Sequence, residues 1–368
     1  MDIKKTAEAE KDSEMSYAIW RETNGQKYLE VYSPSQYILG VLQGQFLAKQ
    51  IIHMKRIIEE FASTCFIQSN SYEKLINIAD SYKNFIPTYL KHEMKGISDA
   101  LPSISYDDIV LQNCFFDLIY GRFIPENIHN PIFNSYIFES TSLGIKKSNL
   151  VILAQNFNFS KIFEPCMYFS LLKMPEKPNI FSLRLGALLN LPAGYNSNNL
   201  STTFNFVKTN VKGKVSIPTS IKSRIIFQRY KISEAAHQFI INSFCTTSNN
   251  RLISDNSKII RLENLPTEYD RKDIKNFIVT SNTFLFNSLQ KYLIDKNYSK
   301  KRQEYAEIRL KQLFDSDTVN DEKLLEILFE DPIICSTNPF EAMTTAFITR
   351  NYFGLGKPTN KKFGIAPI

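Results

Sequence analysis

A predicted β-hairpin in the middle of the chain constrains the fold more than any other part of the sequence. Ser140 to Ile145 and Leu150 to Ala154 are strand-like, and the polar stretch Lys146 to Asn149 between them is typical of a turn. A turn centred in the middle of that stretch predicts that Ser140 faces Gln155, across the gap of about 5 Å that separates neighbouring strands.

Amide side chains cluster where the second strand continues. Gln155, Asn156 and Asn158 follow Ala154, and the predicted register places the Ser140 hydroxyl beside them. A hydroxyl at the start of a strand, next to several amides, is a candidate reaction centre. The commoner interpretation of such residues is a polar strand start with amide caps.

Two motifs of this hairpin resemble a known enzyme family. Ser140-Thr141-Ser142 stands where the isopenicillin-N acyltransferase-like (penicillin acyltransferase-like) family of N-terminal-nucleophile hydrolases has Cys-Thr-Thr or Cys-Thr-Ser. Ala154 to Phe159 stands where that family has a Gly-Gln-Asn-Trp-Asp-Phe type box. The chain departs from the family in two ways, because Ser140 replaces the nucleophilic cysteine and Asn158 replaces the usual aspartate.

Further stretches resemble the same family in the same order, from about residue 35 to residue 360. A long helix predicted from about residue 36 to residue 58 carries Gly40 and Gly44, like the family's Gly-x-x-x-Gly helix. Asn205 lies on a strand after a glycine–aromatic–Asn-Ser turn. Asn282 ends a predicted strand that resembles His-Thr-Asn-His, and Lys357 stands in a stretch that resembles Leu-Gly-Arg-Pro-Thr-Asn.

The resemblance implies an α+β fold, a four-layer α-β-β-α sandwich in which two antiparallel sheets pack face to face with helices outside. We expect residues 1–15 to form a flexible lead and residues 16–368 to form a single domain. Within that domain, residues 16–139 would be mainly helical, and residues 140–368 would begin with the nucleophile.

The resemblance also implies self-cleavage. In this fold class the backbone is cut just before the nucleophile, here between Glu139 and Ser140, and the freed α-amine serves as the base for the adjacent side chain. Ser140 Oγ would then attack an amide or thioester carbonyl, and its own amine would carry the proton to the leaving group.

Six other residues take roles by the same resemblance. Asn205 and Asn282 would stabilise the oxyanion, a contribution of several kcal/mol in enzymes. Gln155 and Asn158 would orient the amine. Asn156 belongs to the same motif and is assigned to substrate binding with Gln155, and Lys357 would meet a substrate carboxylate.

These residues predict an acyltransferase or amidohydrolase that acts on an N-acyl amide or acyl thioester, in small-molecule or natural-product metabolism. The alternative is an uncut, inactive relative that serves as a binding or scaffold protein, and acyl transfer without self-cleavage lies between the two. Serine is a weaker nucleophile than cysteine, Asn158 removes a carboxylate, and Glu139 replaces a small residue before the nucleophile. All three departures favour the alternative.

Composition excludes some partners and cofactors. The net charge of +7 is spread over the chain without a basic stripe interleaved with aromatics, so we expect no nucleic-acid partner. The four histidines have no metal-ligand spacing, so we expect no metal. No resident cofactor is predicted. An acyl-CoA or acyl-carrier-protein thioester would be the acyl donor, and a small amine the acceptor.

Cysteine usage and hydropathy suggest a cytoplasmic protein. The five cysteines are widely separated and no C-x-x-C occurs, which is typical of reduced thiols. The start of the chain is charged and lacks the apolar core of a secretory signal. No apolar run reaches the ~18 residues of a membrane span.

Overall fold

The structure is a computed structural model. It describes residues 15–66, 70–128, 133, 136, 138–294, 298–316, 318–330, 333–335, 343–356 and 363–368. The chain is a mixed α and β protein in which helices accompany two sheets. The predicted lead, residues 1–15, lies outside the described residues except for Met15.

Within the described ranges, nine strands form the first sheet and pair in the order β1-β2-β5-β6-β7-β8-β9-β10-β11. Every pair is antiparallel except β2 with β5, which is parallel. The strands are β1 (Tyr17–Thr23), β2 (Gln26–Tyr32), β5 (Met167–Lys173), β6 (Ile180–Leu185), β7 (Gly194–Asn196), β8 (Ser201–Phe206), β9 (Asn249–Ser254), β10 (Ile259–Asn264) and β11 (Tyr269–Ile274).

In the same part of the chain, six strands form the second sheet, all antiparallel, in the order β12-β3-β4-β13-β14-β15. The strands are β3 (Phe138–Lys147), β4 (Leu150–Ser160), β12 (Phe277–Thr280), β13 (Met343–Thr349), β14 (Tyr352–Leu355) and β15 (Gly364–Ile365).

The helices fall before the hairpin, between the strands of the first sheet, and between β12 and β13. The α-helices of four or more residues are α1 (Gln36–Phe46), α2 (Ala48–Cys65), α3 (Ser71–Asp80), α4 (Thr88–Asp99), α5 (Tyr106–Leu118), α6 (Thr219–Arg229), α7 (Ser233–Asn242), α8 (Asn287–Gln290), α9 (Tyr298–Asp315) and α10 (Asp321–Leu328). Within the ranges given above, no helix is both long and apolar enough to cross a membrane.

The two sheets pack against each other through the hairpin. Strands β3 and β4 contact β8 and β9, and an apolar cluster that includes Leu153 on β4 and Leu252 on β9 fills part of the interface. Helix α7 packs on β9 and β10, whereas α9 and α10 pack on β12, β3 and β4. Helices therefore pack on strands of both sheets.

The predicted hairpin is present, but the predicted register is wrong by two residues. Ser140 pairs with Phe157, and Gln155 pairs with Ser142. The turn is the two-residue Ser148-Asn149, in which Ser148 has a φ of 53°, as short hairpin turns require. The strands extend through the lysines assigned to the turn because Lys147 Nζ is anchored, 2.7 Å from the Phe314 carbonyl oxygen.

The long helix predicted from residue 36 to residue 58 is also divided. It consists of α1 and α2, which meet at Leu47, and Leu47 lacks helical backbone angles (φ −113°, ψ 16°). Leu47 is buried in the main apolar core, and this packing compensates for the break.

Close helix packing explains the glycines of α1. A Cβ on Gly40 would lie 1.9 Å from the Glu93 carbonyl oxygen, and one on Gly44 would lie 2.7 Å from that of Ile97. Gly96 of α4 faces α1 in the same way, with the Tyr37 carbonyl oxygen 2.1 Å from an added Cβ. No side chain fits between these two backbones, so the glycines set the distance between α1 and α4.

A buried ion pair fixes the orientation of the same helices. The Glu93 carboxylate accepts hydrogen bonds from Arg224 Nη2 at 2.9 Å and from Gln43 Nε2 at 2.8 Å. Arg184 Nη1 donates to Gln43 Oε1 at 2.5 Å. Both ends of the Glu93–Arg224 pair are essentially inaccessible to solvent, so loss of either partner would leave an uncompensated buried charge.

We predict that Gly40→Ala destabilises the protein by about 2 kcal/mol or more, since the added methyl group must push α1 away from α4. The measurement is the free energy of unfolding in urea. Gln45→Ala, at an exposed position of α1, is the control and should change stability by less than about 0.5 kcal/mol. Equal stability of the two variants would contradict the packing described above.

A buried carboxylate joins α5 to α6. Asp117 accepts hydrogen bonds from the Thr219 backbone nitrogen at 3.1 Å and from Thr219 Oγ1 at 2.6 Å, and Thr246 Oγ1 donates to the same side chain. Burial raises the Asp117 pKa from 3.8 to about 6, against the opposing effect of these hydrogen bonds.

We predict a pH-dependent difference in stability between the wild type and Asp117→Asn. Because the folded pKa is raised, the Asp117 contribution is present at about pH 4 and is lost as the pH rises through 6. Asp117→Asn should therefore gain about 2–3 kcal/mol relative to the wild type between about pH 4 and pH 7. The free energies of unfolding of both proteins in urea, at about pH 4 and about pH 7, measure this gain. If the stability difference between the two proteins were the same at both pH values, Asp117 would not titrate in this range.

Candidate active site

Ser140 lies where the two sheets meet, and other residues bond both its hydroxyl and its backbone nitrogen. Its side chain is buried, with 1% of the residue exposed. Ser140 Oγ accepts a hydrogen bond from Asn205 Nδ2 at 2.8 Å and lies 3.5 Å from the Phe204 carbonyl oxygen. The Ser140 backbone nitrogen donates to Asn282 Oδ1 at 2.8 Å.

Asn205 connects the sheets through all of its side-chain polar atoms. Its Oδ1 accepts hydrogen bonds from Ser142 Oγ at 3.0 Å and from Thr280 Oγ1 at 2.9 Å. Because both hydroxyls occupy the oxygen, the amide nitrogen faces Ser140. Because side chains alternate along β8, Asn205 lies on the face toward the second sheet. The backbone of the preceding residue, Phe204, bonds the Gln155 side chain.

Asn282 holds the backbone at the start of β3. It lies in the turn that follows β12, two residues beyond the end of the strand. The sequence predicts it within the strand, and that part of the prediction is wrong. Its Oδ1 accepts from the Ser140 nitrogen and from Arg302 Nη2 at 2.7 Å, and its Nδ2 donates to the Phe206 carbonyl oxygen at 2.8 Å.

Arg302 is a member of this site that the sequence did not indicate. It projects from α9, and none of its side chain is exposed. Its Nη1 bonds Glu139 Oε2 at 3.0 Å, and its Nη2 bonds Asn282. The surrounding sequence, Lys300 to Glu304, is charged in the manner of a solvated helix face, so the local pattern gave no sign that one arginine is buried.

Gln155 contacts the facing strand and not the Ser140 nitrogen. Its Oε1 accepts from the Phe204 backbone nitrogen at 2.8 Å, and its Nε2 donates to the Phe204 carbonyl oxygen. The glutamine amide thus pairs with the backbone of β8 as a neighbouring strand would. Because of the two-residue shift, Gln155 does not pair directly with Ser140, but both side chains face the first sheet and both bond the Phe204 carbonyl oxygen.

Asn156 and Asn158 contact elements away from the Ser140 hydroxyl. Asn156 Oδ1 accepts from the Thr141 backbone nitrogen at 3.0 Å. Asn158 Nδ2 donates to the Ile334 carbonyl oxygen at 2.8 Å, and Asn156 Nδ2 lies 3.3 Å from the same oxygen. These two amides therefore attach β4 to the segment around Ile334. Lys357 lies outside the described residues.

The hydrogen bonds therefore bring Ser140, Asn205 and Asn282 together, as the sequence predicts. The amide donor at Ser140 Oγ, Asn205 Nδ2, suits a hydroxyl that gains negative charge or an oxyanion that forms beside it. Among the hydrogen bonds of the described residues, neither Ser140 Oγ nor its backbone nitrogen has a His, Asp or Glu partner.

We predict that Asn158→Asp destabilises the protein by about 1–3 kcal/mol, because an acceptor would replace the buried donor that meets the Ile334 carbonyl. Urea unfolding measures the change. Asn198→Asp, on a partly exposed turn, is the matched control and should be near neutral. An unchanged or raised stability of Asn158→Asp would indicate that Asn158 has a role other than this attachment.

Comparisons with known proteins give similarities to solved structures but not to a family. No protein-family model matches the sequence, and no curated protein matches it. Among solved structures, the chain is similar to a Caenorhabditis elegans N-acylethanolamine-hydrolyzing acid amidase (NAAA) ortholog, with a TM-score of 0.45 and 13% sequence identity, over 56% of this chain and 92% of that chain. Similarity at this level assigns neither a fold nor an activity.

Within the described residues, no group of three or more His, Cys, Asp or Glu side chains could hold a metal ion. The five cysteines are free thiols. Burial raises the pKa of the Cys166 thiol to about 12 and holds that of Cys114 well above its usual range. Both thiols stay protonated at neutral pH, so neither is a substitute nucleophile for Ser140.

Proposed function

We propose that the chain is an acyl hydrolase or acyltransferase in which Ser140 is the nucleophile toward an N-acyl amide or acyl thioester. The observation that carries the proposal is the pair of bonds at Ser140, from Asn205 to the hydroxyl and from the backbone nitrogen to Asn282. These residues come from distant parts of the chain, and such convergence on a nucleophile and its own nitrogen is what an N-terminal nucleophile needs.

The reaction would proceed in two stages. Cleavage before Ser140 frees its α-amine, which takes the proton from Oγ as Oγ attacks the substrate carbonyl and then gives it to the leaving amine or thiol. Water or an acceptor amine then releases the acyl group from Ser140. Asn205 Nδ2, which donates to Oγ in the uncut chain, is the first candidate donor to the oxyanion, and Asn282 remains hydrogen-bonded to the amine.

The proposal includes the four-layer α-β-β-α sandwich of the N-terminal-nucleophile hydrolases. The contacts between β3, β4, β8 and β9, and the helices that pack on strands of both sheets, support it. It also includes a small acyl donor, such as an acyl-CoA or carrier-protein thioester, and a cytoplasmic role in small-molecule metabolism, which agrees with the free thiols.

A second candidate function is supported by a specific observation. Ser140 is 1% exposed, and Glu139, the residue before the expected cut, is held by Arg302 at 3.0 Å. A chain that stays closed and uncut in this form would bind a ligand or partner without acyl chemistry. Direct labelling of the serine distinguishes this function from the first.

We predict that an acyl-thioester or β-lactone probe labels Ser140 in protein that is cut before this residue, because only a hydroxyl activated by the freed α-amine reacts with it at an appreciable rate. Ser140→Ala should abolish labelling. Ser140→Cys should label at least several-fold faster, since a thiol carries more nucleophilic anion near neutral pH. The measurement is the mass of the labelled peptide together with its rate of formation.

Ser170→Ala removes another fully buried serine, on β5 and away from the Asn205 network, and should label like the wild type. Absence of labelling at Ser140 in folded protein that is cut before this residue would overturn the proposed acyl chemistry and favour the binding protein. Labelling that persists in Ser140→Ala would place the nucleophile elsewhere.

A further inference from the structure

Arg302 contacts the chain on both sides of the peptide bond between Glu139 and Ser140. On one side its Nη1 donates to Glu139 Oε2 at 3.0 Å. On the other, its Nη2 donates at 2.7 Å to Asn282 Oδ1, which accepts from the Ser140 backbone nitrogen at 2.8 Å. One guanidinium group therefore fixes the residue before the bond and, through a single oxygen, the nitrogen of the bond itself.

The guanidinium is held firmly in this position. Arg302 has no exposed side-chain surface, and it projects from α9, whose buried residues Ala306, Leu310 and Leu313 pack in the apolar cluster beneath the second sheet. Asn282 is fixed in turn by the Phe206 carbonyl oxygen at 2.8 Å. Movement of the Glu139 side chain or of the Ser140 nitrogen would break part-buried hydrogen bonds, of which the one between Glu139 and Arg302 is charge-assisted.

Self-cleavage requires both of these groups to move. Ser140 Oγ must attack the Glu139 carbonyl carbon, a C–O bond must form as the C–N bond breaks, and the hydroxyl proton must pass to the departing nitrogen. The resulting ester is then hydrolysed by water, which leaves a carboxylate on Glu139 and a free amine on Ser140. The nitrogen must become tetrahedral to accept the proton, so its N–H must leave the peptide plane.

The observed bonds oppose each of these movements. The Ser140 hydroxyl is held by Asn205 at 2.8 Å. The Ser140 N–H is held by Asn282, and Glu139 sits in a regular strand opposite Asn158. A planar peptide bond in a regular strand must be distorted before the acyl shift can occur.

We propose that Arg302 is a positioning residue that keeps the bond between Glu139 and Ser140 uncut, and that loss of its contact with Glu139 permits self-cleavage. This inference rests on the proposed function, because the cut would release the α-amine that Ser140 needs. Acyl chemistry would then be controlled by whatever displaces the Glu139 carboxylate from Arg302.

The test is a time course of intact mass on the full-length protein. The wild type should stay as one chain, whereas Glu139→Ala and Arg302→Met should separate into residues 1–139 and 140–368 at least tenfold faster. Adding Ser140→Ala to either variant should stop the cut, since the attacking hydroxyl is gone. Glu139→Gln keeps an acceptor for Arg302 without the charge and should cleave at a rate between those of Glu139→Ala and the wild type.

Arg251→Met provides the matched control for loss of a buried arginine. Arg251 is 2% exposed and lies over the Phe204 ring at 4.9 Å, with no bond to Glu139 or Asn282. A general loosening of the fold would raise cleavage in this variant as well, whereas loss of the Arg302 contacts alone would not. If Arg302→Met fails to fold, Glu139→Ala carries the test, because the Glu139 side chain is 25% exposed.

Two results would overturn the inference. One is a wild type that is already cut to completion, and the other is a folded Glu139→Ala that stays intact at the wild-type rate. Acyl-probe labelling of the same samples separates this outcome from failure of the proposed function. A wild type that is already cut and labels at Ser140 contradicts only the role of Arg302, whereas a cut protein that does not label at Ser140 contradicts the proposed function as well.

Discussion

The buried amide of Asn205 is the interaction on which the arrangement of the site depends. It is fully inaccessible to solvent, and its bonds reach Ser140 and Ser142 on β3 and Thr280 on β12. A buried amide without partners would cost about 1–3 kcal/mol for each unsatisfied group. The two sheets can therefore pack at this point in only one register, the one that brings the three hydroxyls to the amide.

The same constraint determines what Ser140 can do. Alternation along β3 directs Ser140 and Ser142 toward the first sheet together, while Gln155 on β4 bonds the backbone of Phe204 in that sheet. Among the described residues, the hydrogen-bond partners of the hydroxyl are the Asn205 amide and the Phe204 carbonyl oxygen. The amide donor can stabilise a developing negative charge.

Sequence reasoning located the hairpin and three of the converging residues, Ser140, Asn205 and Asn282, because strand patterns and short motifs are local properties. It misplaced the turn by one residue at its centre, and this shifted the register by two. The lysine pair looked like turn residues, whereas Lys147 is held by a contact with Phe314 that only the folded chain provides. Arg302 was missed for the same reason. Its partners, Glu139 and Asn282, lie on other elements, and only the folded chain brings them to the arginine.

A double-mutant cycle between Ser140 and Asn205 tests the central claim, that this buried bond joins the sheets at the site. The free energies of unfolding would be measured for the wild type, Ser140→Ala, Asn205→Ala and the double variant. A bond at 2.8 Å between buried groups predicts a coupling energy of at least about 0.5 kcal/mol, within the usual range of about 0.5–3 kcal/mol for residues in contact. Effects that add to within about 0.3 kcal/mol would show that the two residues do not interact and would contradict the account.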